Sequence, residues 1–223
     1  MHDVLVVYKQ VEMCFDDEGK ITIDMEESKA VTLSYDEKPG VQALKNIALD
    51  LPLAEKRGTV GRDYEYKRLG TVSLLAGIGL LTGKVIPHVG DTHKSSDFVD
   101  WLKQVDNIYP EHDTIRLVLD NHSAHTSKET KVFLETQPGR FVFVFTPTHG
   151  SWLNLIESFF GKMVRQCLRG IRVESKQELI GRIYRYCNEI NEAPVVYHWT
   201  YKTADITAED IVEADIDPEL KYI

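Results

Sequence analysis

Residues 117–125 read LVLDNHSAH, an apolar run that stops abruptly at an aspartate, an asparagine and two histidines three apart. With the residues before it, TIRLVLD (114–120) predicts a buried strand. A strand ending this way has two readings. Either Asp120 or Asn121 caps the turn that follows, or the strand delivers groups able to hold a metal or move a proton to the edge of a sheet.

The flanking segments decide what sheet that is. Downstream, SKETKVFLETQ (127–137) predicts a helix and RFVFVFT (140–146) another strand. Upstream, SSDFVDWLKQVDNIY (95–109) sets Phe98, Val99, Leu102, Val105 and Ile108 at helical spacing, with Ser95 or Ser96 as cap. AVTLSYD (30–36), TVSLLAGIG (71–79) and KVIPHVG (84–90) read as strands, the last two a hairpin through LLTG. A polar excursion, LPLAEKRGTVGRDYEYKRLG (51–70), separates the first two, and helices over about 152–169 and 175–191 close the series. Three strands followed by alternating helix and strand predict an α/β fold with a mixed five-stranded sheet flanked by helices. In such sheets strand ends converge on one edge, where ligands sit, and Asp36 and Asp120 both occupy those ends.

Composition narrows the function classes. A chain of 223 residues, 43% hydrophobic and 27% charged, fits one large domain without internal repeats. No window approaches 18 uninterrupted apolar residues, and MHDVLVVYKQ is too short and too soon charged for a signal peptide, so a cytoplasmic protein with no membrane partner is expected. Cys14, Cys167 and Cys187 form no CxxC pair and read as packing residues. The net charge of −9 argues at first against nucleic acid, but residues 1–30 carry net −5 and residues 204–223 net −6, which leaves the middle at +2. Seven Lys or Arg against three Glu make residues 151–186 the candidate basic surface.

A third carboxylate joins the two strand ends. In the helix from about residue 152, Leu155, Ile156, Phe159, Phe160, Met163, Val164, Cys167 and Leu168 form the buried face, and Glu157 falls at its border. Three carboxylates brought together repel and raise one another's pKa values unless a divalent cation neutralises them, and oxygen donors without cysteine suit Mg²⁺. Each residue also has a local explanation. Asn154 and Glu157 fit an N-x-x-E capping box, Asp36 lies in DEKPG, which suggests a turn, and Asp120 can cap.

Three blocks in order, YDEKPG (35–40), LVLDNHSAH (117–125) and TPTHGSWLNLIESFF (146–160), resemble the catalytic blocks of the mariner-type DDE transposases, in their bacterial insertion-sequence branch. The resemblance runs from about residue 30 to 192. It implies an RNase H-like catalytic domain over 30–192, after a helical or irregular lead-in over 1–29 and before an acidic tail over 193–223. It implies a catalytic and metal-binding triad of Asp36, Asp120 and Glu157 holding two Mg²⁺ or Mn²⁺ ions, with 36 residues between the last two. The implied activity is cleavage and strand transfer of double-stranded DNA at transposon ends, by a homodimer, in a bacterial cytoplasm and on the nucleoid when bound. No helix-turn-helix module is legible in 1–29, so a catalytic fragment or one product of a split reading frame is expected, binding DNA weakly by itself.

The resemblance also implies that His125 orients water or a phosphate near the metals; by its position it can equally cap the helix over 127–137 or pack locally. His122 reads as solvated, and Asn121 and Asn154 are placed to orient carboxylates. Lys162, Arg165 and Arg169, together with Arg57, Arg62, Lys67 and Arg68 in the excursion, are the candidate DNA-backbone contacts. Basic residues late in a helix also complement its dipole. GIGLLTGKV (77–85) lacks the spacing of a phosphate loop, and HGSWL the flanking glycines of a nucleophile elbow. Two alternatives stay open: another metal-dependent phosphoesterase using Asp120, His122 and His125, and an inactive transposon-derived domain that binds DNA or protein.

Overall fold

Why the chain makes a sheet with two covered faces follows from the period of its apolar residues. The computed structural model describes residues 1–23, 30–48, 50, 61, 64–110, 113–207 and 209–211. Among them, five strands form one mixed sheet in the order β3-β2-β1-β4-β5. Strands β1 (Ala30–Asn46) and β2 (Tyr66–Gly79) are antiparallel, as are β2 and β3 (Val85–Gly90). On the other side of β1, β4 (Thr114–Leu119) and then β5 (Phe141–Phe145) run parallel to it.

Alternation along β1 sorts its side chains. Leu33 and Tyr35 point to one face, where they meet Phe98, Trp101 and Leu102 of α2 (Ser95–Ile108), with Leu117, Leu119 and Phe141 in the same cluster. Gly77 permits this contact, because a Cβ there would stand 2.5 Å from Cζ2 of Trp101. The short helix α3 (Lys128–Glu135) covers the same face through Phe133 and Leu134. The opposite face is covered by α1 (His2–Glu12), α4 (Ile156–Met163) and α5 (Lys176–Glu192). Val4 to Tyr8 of α1 are buried against Val118, Val144, Leu153 and Leu155, and the Tyr8 hydroxyl donates to the Leu153 carbonyl at 2.5 Å.

Local expectations need four corrections. DEKPG is no turn: β1 continues through it to Asn46, with a register shift between Lys38 and Val41. This bulge absorbs Pro39, which has no N–H for the ladder, and Gly40 takes φ +69°. Residues 66–70 of the polar excursion belong to β2. The cap of α2 is neither Ser95 nor Ser96, since the helix begins after Lys94, whose backbone N–H donates to the Asp97 carboxylate at 2.8 Å. The single helix expected over 152–169 is a 3₁₀ turn (Ser151–Leu153), an extended Asn154, then α4 and a π segment (Val164–Leu168). The interruption at Asn154 shapes the candidate site.

Candidate active site

Asp36 and Asp120 each lie two residues beyond the paired Ser34 and Val118 on neighbouring parallel strands. Both therefore lie just past the end of the β1–β4 ladder. Asp36 is still within β1, opposite Ala76 of β2, which corrects the expectation that it ends its strand, and Asp120 lies beyond the end of β4. Ser34 faces the helix side with α4, so strand alternation sends Asp36 to that face too. Asp36 is 9% exposed. Its Oδ1 accepts the Glu37 backbone N–H at 2.7 Å. Burial pushes its pKa up to about 7, and the charges of Glu37, Glu157 and Asp120 push the same way. Among the described residues no Lys or Arg forms an ion pair with it.

Asn154 is the joint between α4 and β1. Its Nδ2 donates to the Tyr35 carbonyl at 2.6 Å and to Asp36 Oδ2 at 3.4 Å, while its Oδ1 accepts from the Ser34 hydroxyl. Ser34 Oγ in turn accepts the Ile156 N–H at 3.0 Å. The capping-box reading therefore fails: α4 starts after Leu155 with no side-chain cap, because the Asn154 amide is spent on the strand. Glu157 is left exposed in the first turn of α4, close enough for its charge to act on Asp36.

Asp120 is half-exposed, with its side chain 38% accessible, and Oδ1 accepts the His122 N–H at 3.0 Å. Asn121 does not touch a carboxylate; its Nδ2 donates to the Thr146 carbonyl at 2.5 Å and ties the end of β4 to the end of β5.

His125 is 1% exposed, with Nδ1 2.9 Å from the Asp120 carbonyl and Nε2 3.0 Å from Glu37 Oε1. Both ring nitrogens thus face acceptors, and the hydrogen bond and charge of Glu37 raise its pKa against the opposing effect of burial. Glu37, though desolvated, is held below the usual carboxylate range by His125 and by the Tyr35 hydroxyl, which donates at 2.9 Å. Sequence reasoning missed Glu37. Period-two alternation sends it to the face opposite Asp36, but nothing local announces a partner 88 residues away.

The basic candidates fall into separate groups. Lys162 is half-buried in α4, and Arg165 and Arg169 are exposed on and just after the π segment. Lys67 and Arg68 are exposed at the start of β2, where the Arg68 and Arg172 guanidinium groups lie 6.0 and 5.6 Å from the Tyr66 ring. Arg57 and Arg62 lie outside the described residues.

A mixed sheet of this order with helices on both faces is the RNase H-like fold that the resemblance implies. The model of the DDE superfamily endonuclease family matches residues 44–180, and the chain belongs to that family. The match takes in Asp120 and Glu157 and begins eight residues beyond Asp36. A protein of Shigella sonnei described as an insertion element IS630 uncharacterized 39 kDa protein is 26% identical over 113 residues, which cover 51% of this chain and 33% of that one. The chain thus spans about a third of the length of that relative. Among solved structures, the Mos1 strand transfer complex matches with TM-score 0.50 and 11% identity, over 96% of this chain and 62% of that one. The Mos1 transposase paired-end complex with left transposon end gives the same figures. At this identity the likeness is one of fold.

Proposed function

We propose that this chain is the catalytic domain of a transposase, which cuts DNA at the ends of an insertion element and joins the freed ends to a target. The observation that carries the reading is Asp36: a buried carboxylate with its pKa raised to about 7, acted on by Asp120 and Glu157 and with no cationic side chain paired to it among the described residues. Such a charge is an unfavourable feature of a folded domain unless a dication shares it. The donor set is all oxygen, which fits Mg²⁺ or Mn²⁺. Asp36, Asp120 and Glu157 are the proposed ligands, for two ions. Bound there, divalent ions supply charge neutralisation at the reacting phosphate and lower the pKa of an attacking water.

The protein's own contribution is placement. Asn154 and the Glu37 N–H fix both oxygens of Asp36, and the His122 N–H fixes one oxygen of Asp120. Glu157 stays exposed, where a DNA strand entering the sheet edge meets it. In the first step a water oxygen attacks the phosphorus, the bond to the 3′ oxygen breaks, and that oxygen leaves as a hydroxyl. In the second, the 3′ hydroxyl attacks a phosphodiester of target DNA and displaces its 3′ oxygen. Lys162, Arg165 and Arg169, with Lys67 and Arg68, are the proposed backbone contacts, and a homodimer the proposed working unit in the bacterial cytoplasm. The names of the relatives, an insertion element and a transposon-end complex, point to the same substrate class.

The test is nicking of duplex DNA carrying insertion-element ends, with Mg²⁺ or Mn²⁺, by the wild type and by Asp120→Ala and Glu157→Gln. Both variants should fall by at least about 10²-fold, the scale expected when transition-state charge stabilisation is lost. Undiminished cleavage by either would overturn the triad.

A further inference from the structure

On the sheet face opposite Asp36, Glu37, His122 and His125 form a second cluster. Each offers a ligand atom, and these atoms all lie within 4.8 Å of one another. The Asp120 carbonyl, 2.9 Å from His125 Nδ1, takes the N–H there and turns Nε2 toward Glu37. A backbone carbonyl holding one ring nitrogen while the other looks into a donor cluster is the outer-shell arrangement of metal-binding histidines. Donors that share one ion at about 2.0–2.2 Å stand roughly 3–4 Å apart, and His125 Nε2 and Glu37 Oε1 are 3.0 Å apart. A third, independent observation concerns His122, whose Nδ1 is buried with no hydrogen-bond partner. Orphaned buried nitrogens are rare in folded proteins and call for a ligand. The Glu37–His125 ion pair by itself explains two of the three side chains and leaves His122 unexplained.

We propose that Glu37, His122 and His125 bind one first-row transition-metal dication of the Zn²⁺ class, distinct from the carboxylate site and adjoining it at Asp120, whose Oδ1 lies 3.4 Å from His125 Nδ1. Two imidazoles and one carboxylate are a Zn²⁺ donor set with a fourth position open, whereas Mg²⁺ avoids imidazole. The ion joins β1, through Glu37, to the segment after β4, through His122 and His125. These two segments also carry Asp36, within β1, and Asp120, just past β4, so its effect is to lock their spacing. It does so through the backbone, because the N–H groups of Glu37 and His122 are the donors to Asp36 and Asp120. This inference does not depend on the transposase reading.

The experiment is equilibrium dialysis of the whole chain against Co²⁺ in excess Mg²⁺, with the visible absorption of bound Co²⁺ and the melting temperature as readouts. One Co²⁺ per chain, with bands of a nitrogen-ligated ion and a raised melting temperature, is expected in the wild type and equally in Glu157→Gln. His122→Phe and Glu37→Gln should each bind Co²⁺ at least tenfold more weakly. Because the orphaned nitrogen of His122 has no hydrogen bond to lose, His122→Phe keeps the fold even where Glu37→Gln does not. Co²⁺ binding unchanged in His122→Phe, binding lost in Glu157→Gln, or no Co²⁺ retained against Mg²⁺ would each overturn the proposal and leave the cluster an ion pair only.

Discussion

At the scale of the residue, Asp36 makes its own prediction through its proton. In the folded, metal-free chain it holds that proton up to about pH 7, whereas an unfolded carboxyl releases it near 3.8. Between those limits the folded state binds more protons than the unfolded one, so this group's contribution to stability falls as pH rises from about 4 to about 7. Asp36→Asn removes the charge but keeps a polar group in the same buried place. Without metal at pH 8 it should be more stable than the wild type by about 2 kcal/mol in urea unfolding, because each tenfold difference in proton affinity is worth about 1.4 kcal/mol and the amide retains part of the desolvation cost. A variant less stable than the wild type there would contradict the desolvation argument. In the Glu37–His125 pair the charged forms are the favoured ones. Glu37, its pKa lowered, contributes above the ordinary carboxylate range and loses that contribution as pH falls through its folded value. His125, its pKa raised, contributes below about 6.5 and loses it as pH rises through its folded value.

At the scale of the element, two junctions decide how the helices seat on the sheet. Asn154→Leu leaves the Tyr35 carbonyl without its Asn154 partner and removes the Asn154 amide beside Asp36. It should cost about 2–3 kcal/mol by chemical denaturation, with a weaker Mn²⁺ response, because buried groups lose their local partners. The second junction is the contact of α2 with the sheet at Gly77. Gly77→Ala drives a methyl into Trp101 and should cost about 1–3 kcal/mol, with a blue or red shift in Trp fluorescence. An unchanged melting curve would show that Trp101 can withdraw, although its Nε1 donates to the Ile86 carbonyl at 2.9 Å. These junctions explain what was hard to read beforehand. The 3.6-residue period across 152–169 is genuine, but a tertiary hydrogen bond to β1 takes the Asn154 amide and the helix starts later.

For the molecule as a whole, charge is distributed rather than uniform. With a net charge of −9 on the chain, the proposed DNA partner would meet basic side chains locally, around α4 and the start of β2. Arg165→Ala and Arg169→Ala should each weaken binding to any duplex and reduce the slope of log affinity against log salt by about 1. Unaltered slopes in both would remove that face from the DNA path. Mg²⁺ or Mn²⁺ should raise the melting temperature more at pH 8 than at pH 6, because at pH 6 Asp36 retains its proton and competes with the ion. A metal response independent of pH over that range would mean that Asp36 is not a ligand.

The amino-acid sequence determined the five strands and the helices α2, α3 and α5, since apolar periods of two and 3.6 are local properties, but not that α1, in the expected lead-in, buries Val4 to Tyr8 in the core. It also placed Asp120 just past the end of its strand, whereas Asp36, expected at a strand end, lies inside β1 and is paired with Ala76 of β2. Only the tertiary structure decided three other matters: that β1 runs on through Pro39 and Gly40, that Asn154 turns from capping to bridging, and that Glu37 pairs with His125. The first depends on the ladder to β2, the second on a carbonyl 119 residues away and the third on a ring 88 residues away. Hydrogen-bond partners at such separations leave no periodic trace in the chain.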